Sequence, residues 1–375
     1  MALTGRVLIV GGSIGGMSCA ISLRRAGIDV DLVEIDPAWK IYGAGITITG
    51  PTLRGLQTLG LLEEMKAVGA TWSGAYVYTQ TGHLLDELKF PPIAADLPGT
   101  GGIMRPDLHR ILSKATLASG AQVRLGVTVE SLSQVPGGVD VTLTDGHREH
   151  YSLGGGADGS YSKMRERVFP EAPKPKFTGQ VIYRIGAERP PQVDRTFFYM
   201  GPDSKLGFSP VSPTHMYMFL LQRAPANPWI SVADQPRLLY EAMDGWGGIV
   251  PQVRATVMTS NAHTINYRPL EAVLLPDPWY RQRVVLIGDA VHATTPHLAS
   301  GAGMAVEDGI VLAEEVARDG DIDAALPRFM QRRFERGKLV VENSLRLGEL
   351  EMSHGSPKEH ARIMMAAIAA LAQPA

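Results

Sequence analysis

The chain has 375 residues, 45% apolar and 20% charged, a composition that supports a buried core and excludes wholesale disorder and collagen-like or mucin-like chains. With 36 basic and 38 acidic side chains the formal net charge is -2, so no long-range field favours a nucleic-acid partner. The single cysteine, Cys19, excludes an internal disulfide and a zinc site built on cysteine.

Residues 6–34 read as strand, glycine-rich turn, helix and strand: 7–10, then Gly11-Gly12-Ser13-Ile14-Gly15-Gly16, then 17–26, then 30–34. Gly27 follows the helix where a left-handed C-cap is wanted. Residues 1–6 carry no basic region followed by an apolar one, so the cytoplasm is the expected compartment. Residues 52–68 place Leu53, Leu56 and Met65 at helical spacing, and 106–118 form a helix led by Pro106. Between them a hairpin is expected, 71–78 with 83–88, turning at Thr81-Gly82. Four β runs follow, 177–185, 196–200, 206–211 and 216–221, which predict one mostly antiparallel sheet. Residues 283–287 return to a Val-rich strand of the first unit, followed by Gly288-Asp289 and a helix over 304–317. Residues 324–372 read as amphipathic helix, and the apolar run 363–372 falls short of the ~20 residues that cross a bilayer, so no membrane span is expected.

The spacing Gly11-x-Ser13-x-x-Gly16 is a variant of the dinucleotide fingerprint, with Ser13 in place of the central glycine and Ile14 and Gly15 leading into the helix. Small residues there let backbone N–H groups at a helix N-terminus approach a pyrophosphate. Glu34 closes the second strand, where a carboxylate can accept both hydrogen bonds from an adenosine ribose. This unit alone suits FAD or NAD. No two histidines share metal-ligand spacing with carboxylates, so no metal is expected. The sequence contains no Gly-x-Ser-x-Gly elbow, P-loop or His-Glu-x-x-His, which leaves oxidoreduction.

Two later segments, Gly156-Ala157-Asp158-Gly159-Ser160-Tyr161-Ser162-Lys163-Met164-Arg165 and Gly288-Asp289-Ala290-Val291-His292-Ala293-Thr294-Thr295-Pro296-His297, resemble the second and third motifs of the class A flavoprotein monooxygenases, the p-hydroxybenzoate hydroxylase-like family. With the first fingerprint the resemblance runs from residue 6 to about residue 317. It implies an α/β fold with a discontinuous Rossmann-like FAD-binding domain over 1–70, 101–176 and 268–325. An inserted, mostly antiparallel β-sheet substrate domain would take 71–100 and 177–267, and a C-terminal helical segment 326–375. It further implies FAD as cofactor, NADH or NADPH as electron donor and O2 as co-substrate. The implied reaction is hydroxylation of a phenolic, N-heteroaromatic or polyketide-like small molecule through a flavin C4a-hydroperoxide, by a monomer or homodimer.

Residue by residue, the resemblance gives Asp289 the FAD ribityl and pyrophosphate region, and Asp158 the FAD and NAD(P)H side. Arg105 falls to the phosphate and ribose side, and Gly301, Ala302, Gly303 and Met304 to the flavin ring. Pro296 would flank that ring on its substrate side, or be only a rigid loop residue. Residues 43–49, with Gly45 and Thr47, resemble the family's mobile flavin loop. Some relatives carry a basic histidine at the position of Thr47, so that mechanism does not transfer. Tyr217 matches a substrate-facing tyrosine that deprotonates or orients a phenol, or is a core aromatic. Arg184 pairs with an anionic substrate or with an internal carboxylate. Phe208 and Phe219, with Met200, Met216 and Met218, form a pocket wall or plain core. His297, with His215 and His292, is a candidate proton carrier in the pocket. Leu153-Gly154-Gly155 is richer in glycine than the aliphatic strand usual there and is expected to loosen it. Two other readings stay open, an FAD-dependent reductase or dehydrogenase without oxygen insertion and a flavin-loaded ligand sensor.

Overall fold

The computed structural model describes residues 5–41, 43–259 and 264–375. The first half runs β1 (Arg6–Val10), α1 (Ile14–Arg25), β2 (Asp29–Glu34), β3 (Gly45–Thr49), α2 (Gly50–Thr58), α3 (Leu62–Val68), β4 (Ala70–Trp72), β5 (Ala75–Thr79) and β6 (Leu84–Leu88). It continues through β7 (Thr100–Met104), α4 (Arg105–Ala118), β8 (Gln122–Leu125), β9 (Val129–Val135), β10 (Gly138–Leu143), β11 (Arg148–Tyr151), β12 (Leu153–Gly156) and α5 (Lys163–Val168). The second half adds β13 (Lys176–Glu188), β14 (Thr196–Met200), β15 (Ser204–Pro210), β16 (His215–Arg223), α6 (Gln235–Ala242), α7 (Val250–Val257) and β17 (Asn266–Ala272). The chain closes with β18 (Tyr280–Arg281), β19 (Val284–Leu286), α8 (Asp289–His292), α9 (Gly301–Asp319), α10 (Ile322–Met352) and α11 (Pro357–Ala372).

Runs as apolar as those of β1 and β19 can be buried on both faces only within a parallel sheet flanked by helices. They lie in a six-stranded sheet of order β18-β19-β12-β1-β2-β8, with β1 parallel to β2 and β12, and β12 parallel to β19. Strand β12 is buried at the centre of this sheet rather than loosened by its glycines. A Cβ on Gly155 would stand 2.8 Å from Ile9 Cδ1, and one on Gly156 2.5 Å from Leu286 Cδ2 and 2.9 Å from Met164 Cβ. Neighbouring side chains fill the space, so glycine permits the packing. On one face α1 and α9 meet closely, since a Cβ on Gly309 would stand 2.5 Å from Cys19 N. Cys19 is buried, and burial pushes its thiol up to about 12, which leaves it inert.

The second large sheet has the order β17-β13-β16-β15-β14-β5-β6. Its pairs are antiparallel except β14 with β5. One face carries Val181, Tyr183, Leu206, Phe208, Met216 and Met218 into a core shared with Leu239 of α6 and Val250 and Val253 of α7. Side chains alternate along a strand, so Gln180, Ile182, Arg184, Tyr217, Phe219 and Leu221 fall on the opposite face. A three-stranded sheet, β3-β7-β4, joins the two units.

Several boundaries differ from the sequence reading. The helix expected over 52–68 is split into α2 and α3, because Gly60 turns the chain with φ +63°. The hairpin is β5 with β6, while residues 70–72 pair instead with β7. Residues 45–49, expected as a loop, form β3 along β7. The seven-stranded sheet extends to residue 272 through β17 rather than ending at 267. Among the described residues no helix is long and apolar enough to cross a membrane. The 363–372 segment buries Ile363, Ala367 and Leu371 as part of α11.

Candidate active site

Between β1 and α1 the chain must reverse within a few residues. Gly11 does so with φ +108°, and a Cβ there would stand 2.5 Å from the Ala157 carbonyl oxygen; one on Gly16 would stand 2.0 Å from the Gly11 carbonyl oxygen. Ser13 caps the helix, since its Oγ accepts the Gly16 N–H at 3.4 Å while its hydroxyl donates to the Ala157 carbonyl at 2.9 Å. The serine at the fingerprint's central position thus ties the turn to the end of β12. The first-turn N–H groups of α1, those of Ile14 and Gly15 among them, give that end the partial positive charge that holds an anion. Glu34 flanks it, with Oε2 accepting the Gly12 N–H at 2.7 Å and Oε1 the Asp36 N–H at 2.8 Å. Each oxygen keeps acceptor capacity for a ribose hydroxyl.

Asp158 lies next to Gly11, but its oxygens serve its own turn. Oδ2 accepts the Met164 N–H at 2.9 Å and Oδ1 the Ser162 hydroxyl, so the side chain shapes the start of α5. Asp289, at the start of α8, is exposed, and its Oδ2 accepts the Ser160 hydroxyl at 3.4 Å. Helix α9 begins at Gly301, and the Met304 N–H is already bonded to the Ser300 carbonyl at 2.9 Å. The outward donors of this turn are therefore those of Gly301, Ala302 and Gly303, while the Met304 side chain is turned inward to Arg333. Arg105 opens α4, its N–H donating to the Ala44 carbonyl at 3.3 Å and its Cδ lying 3.2 Å from where Gly43 would carry a Cβ.

Behind this surface lies a network that the sequence reading missed. Asp308, fully buried on α9, accepts the Gly288 N–H at 2.8 Å, His292 Nε2–H at 2.6 Å and Arg333 Nε–H at 2.7 Å. Burial, the largest influence, pushes the carboxyl up, yet His292 and Arg333 together hold it well below the usual carboxylate range. Arg333 also donates to Glu307 at 2.9 Å and to the Met304 carbonyl at 3.2 Å. His292 is therefore committed to Asp308 and does not face the pocket. The available signal was the adjacent pair Glu307-Asp308 set between the apolar runs 304–306 and 310–313 of one helix, since buried carboxylates require partners.

The arrangement fits FAD on its own geometry. Glycine stands at 11 and 16, where any side chain would collide with backbone. A carboxylate suited to a ribose, two helix N-termini suited to a pyrophosphate and an electron-rich ring, and the acceptor Asp289 complete the set.

On the substrate side, Gly45 lets β3 close onto the seven-stranded sheet, since a Cβ there would stand 2.5 Å from Tyr217 Cβ and 2.6 Å from Val211 Cγ1. Thr47 shares that face of β3. Tyr217 and Phe219 lie side by side with ring centroids 5.8 Å apart, and Gly207 makes room for the Phe219 ring. Arg184, opposite Phe219 in register, faces the Tyr217 hydroxyl and Arg105. It is enclosed by protein yet keeps part of its surface accessible. Burial pulls its guanidinium down to about 10, with Arg105 adding repulsion and Tyr217 offsetting it. Burial likewise raises the Tyr217 phenol above its ordinary value, against the pull of Arg184 and Arg105. Among the described residues Arg184 has no carboxylate within ion-pair distance.

Three expectations for the pocket change. Phe208 is fully buried on the helix-covered face, edge-on to Tyr199, with Met216 and Met218 beside it. Met200 is partly exposed. His297 turns toward the C-terminal helices, with Nε2 3.3 Å from Glu351 Oε2 and Nδ1 2.8 Å from Thr295 Oγ1, and burial holds its imidazole below the ordinary value. Glu351 also pairs with Lys205 and His360 on the rim of a cavity of about 230 Å³ that Gln180 and Leu221 help to line. Pro296 opens the short helix that carries His297 toward this cluster. His215 is exposed and bonded to Thr214.

Residues 4–344 match the FAD binding domain family. The chain is 30% identical over 359 residues to the aurachin C monooxygenase/isomerase of Stigmatella aurantiaca, covering 92% of this chain and 89% of that protein. It is 33% identical over 316 residues to the 2-heptyl-3-hydroxy-4(1H)-quinolone synthase of Pseudomonas aeruginosa, covering 82% and 79%. The chain belongs to the FAD-binding-domain family of flavoprotein hydroxylases. This flavoprotein hydroxylase shares its fold with the crystal structure of Klebsiella pneumoniae HpxO complexed with FAD and uric acid, at a TM-score of 0.82 and 24% identity over 98% of this chain and 92% of the other. It is an FAD-dependent monooxygenase, with NAD(P)H and O2 as the co-substrates of its class.

Proposed function

We propose that this monooxygenase hydroxylates a planar phenolic or N-heteroaromatic small molecule carrying an acidic or enolic oxygen. The observation that carries the reading is Arg184, an enclosed cation without a carboxylate partner among the described residues, facing Tyr217 beside the Phe219 ring. A desolvated guanidinium of this kind is stabilised by an anionic oxygen arriving with the substrate. When bound, FAD supplies the redox chemistry, with two electrons from NAD(P)H, one atom of O2 for the product and one for water.

The chain's own residues position and shield. Arg184 holds the substrate oxygen in its ionised form, which makes the ring electron-rich. Tyr217, its phenol raised by burial, stays protonated near neutral pH and donates a hydrogen bond, so it orients rather than deprotonates. Phe219 packs against the ring, and Pro296 and Thr47 border the reaction space. The quinolone named in one relative belongs to this substrate class. In this reading the segments 1–70, 101–176 and 268–325 hold FAD and the seven-stranded sheet supplies the substrate wall. The enzyme works in the cytoplasm, where NAD(P)H is available, as a monomer or homodimer whose site is completed within one chain.

The test is aerobic NAD(P)H oxidation by the FAD-loaded protein across phenols, 4(1H)-quinolones and polycyclic quinones, with peroxide quantified and ¹⁸O2 as the gas. Stimulated oxidation, little peroxide and ¹⁸O in a phenolic or quinolone product are expected. Stimulation confined to compounds lacking an ionisable oxygen would overturn the substrate class.

A further inference from the structure

We infer that Trp39 is the latch on the adenosine end of the FAD site and sets how long FAD stays bound. The loop after β2 is pinned by Asp36, whose Oδ1 accepts the Ala38 N–H and Oδ2 the Lys40 N–H, both at 2.9 Å. Trp39 closes this loop with φ +45°. A bulky side chain is disfavoured in the left-handed region, and residues held there against their preference concentrate at ligand clamps. The conformation delivers the indole onto the dinucleotide turn. Its Nε1–H donates to the Gly12 carbonyl at 2.9 Å, and a Cβ on Gly12 would stand 2.3 Å from Nε1.

The Gly12 residue is thereby held from both sides, its N–H by Glu34 at 2.7 Å and its carbonyl by Trp39. In a trans peptide the N–H points opposite to the C=O. Anchoring the Gly12 carbonyl toward Trp39 therefore turns the Ser13 N–H the other way, into the set of donors offered to the pyrophosphate. The indole also meets the His109 ring at 90° with centroids 5.6 Å apart, on the same helix whose first residue is Arg105. Trp39 thus joins the loop after β2, the glycine turn and α4 around the Glu34 carboxylate. An adenosine bonded to Glu34 is enclosed by these elements, and its release requires the latch to open. The glycine fingerprint itself demands no tryptophan here. A residue kept only to cover the core edge would need neither the left-handed backbone nor the bond to Gly12.

The experiment measures FAD release from the full-length, FAD-loaded protein after dilution, followed by flavin fluorescence, together with melting of the apo and loaded forms. Trp39→Gly removes the indole and suits φ +45°, so its apo form should remain folded while FAD leaves at least tenfold faster. Trp39→Phe keeps a ring but loses the N–H, and an increase of about threefold is expected. In both variants the rise in Tm on adding FAD should shrink. Release from Trp39→Gly within twofold of wild type overturns the inference. If Trp39→Gly fails to fold, Trp39→Phe decides, with faster release supporting the latch and unchanged release overturning it. The inference rests on FAD as the cofactor, so wild-type protein that retains no FAD overturns both, whereas retention that is insensitive to Trp39 overturns the latch alone.

Discussion

Replacing Arg184 by methionine should make the protein more stable and a worse enzyme. The guanidinium falls from its ordinary value to about 10 in the folded state, chiefly through burial. At 1.36 kcal/mol per pKa step that is roughly 3 kcal/mol against the charged form. A base whose folded value lies below its unfolded one destabilises the fold wherever it is protonated in both states. The penalty is therefore fully present at neutral pH and disappears only in alkali strong enough to deprotonate the unfolded guanidinium as well. Part of the side chain is accessible, so solvent screening lowers the real figure to about 1–3 kcal/mol. Unfolding entropy of about 2.1 cal/mol/K per residue means roughly 0.8 kcal/mol per degree for this chain, and Arg184→Met should raise the apo Tm by about 1–4 °C. At the site, a charge-assisted hydrogen bond to an anionic oxygen contributes about 1.5–3 kcal/mol. Thus kcat/KM should fall by roughly 10- to 100-fold, mainly through KM, with FAD retention unchanged. Differential scanning fluorimetry of the apo protein and steady-state kinetics on a coupled substrate measure the two halves. A Tm that drops by several degrees with KM unaltered would refute the reasoning and make Arg184 part of the scaffold.

Gly11→Ala forces a Cβ to within 2.5 Å of the Ala157 carbonyl at φ +108°, so FAD occupancy of the purified protein should fall at least tenfold, checked by flavin absorbance against protein concentration. Asp308→Asn leaves His292 without its buried anion and Arg333 with Glu307 alone, and a loss of about 3–5 kcal/mol is expected in denaturant titration at pH 7. Because the folded carboxyl is held below its unfolded value of 3.8, wild-type stability should decline as pH falls from about 4 through that lower folded value, and the variant should lack that part of the acid loss. Phe208→Ala should cost about 3–5 kcal/mol of stability with KM unchanged, whereas Phe219→Ala should alter KM with a smaller stability change. The reverse pattern would mean that the two faces of the sheet have been exchanged.

The dinucleotide unit, the three cofactor motifs and the four β runs were legible because their signals are local. A tight turn at Gly11, an anion-ready helix start and a period-two strand are dictated by neighbours a few residues away. Family motifs of this kind also lie in contiguous sequence, as at 156–165 and 288–297, and carry the cofactor with them. Alternation separates Met218 from Phe219 along one strand, but the sequence reading grouped Phe208 with Phe219 in one wall. Neither the register that sets Phe208 opposite Met218 nor the face that meets α6 and α7 is written along the chain. That face was decided by where those helices dock. Likewise nothing near Gly155 announces that Ile9 fills its space, nothing near His297 points to Glu351, and Asp308 meets Arg333 only when α10 lies along α9. Trp39 reads as a loop residue until the loop folds back over Gly12. Backbone sterics and short-range periodicity act along the chain, so the sequence by itself determined most of the elements and the dinucleotide turn, while the resemblance of its later motifs implied FAD. Burial, ion pairing and the facing of side chains are free energies of contact between distant segments, and the tertiary structure alone decided them.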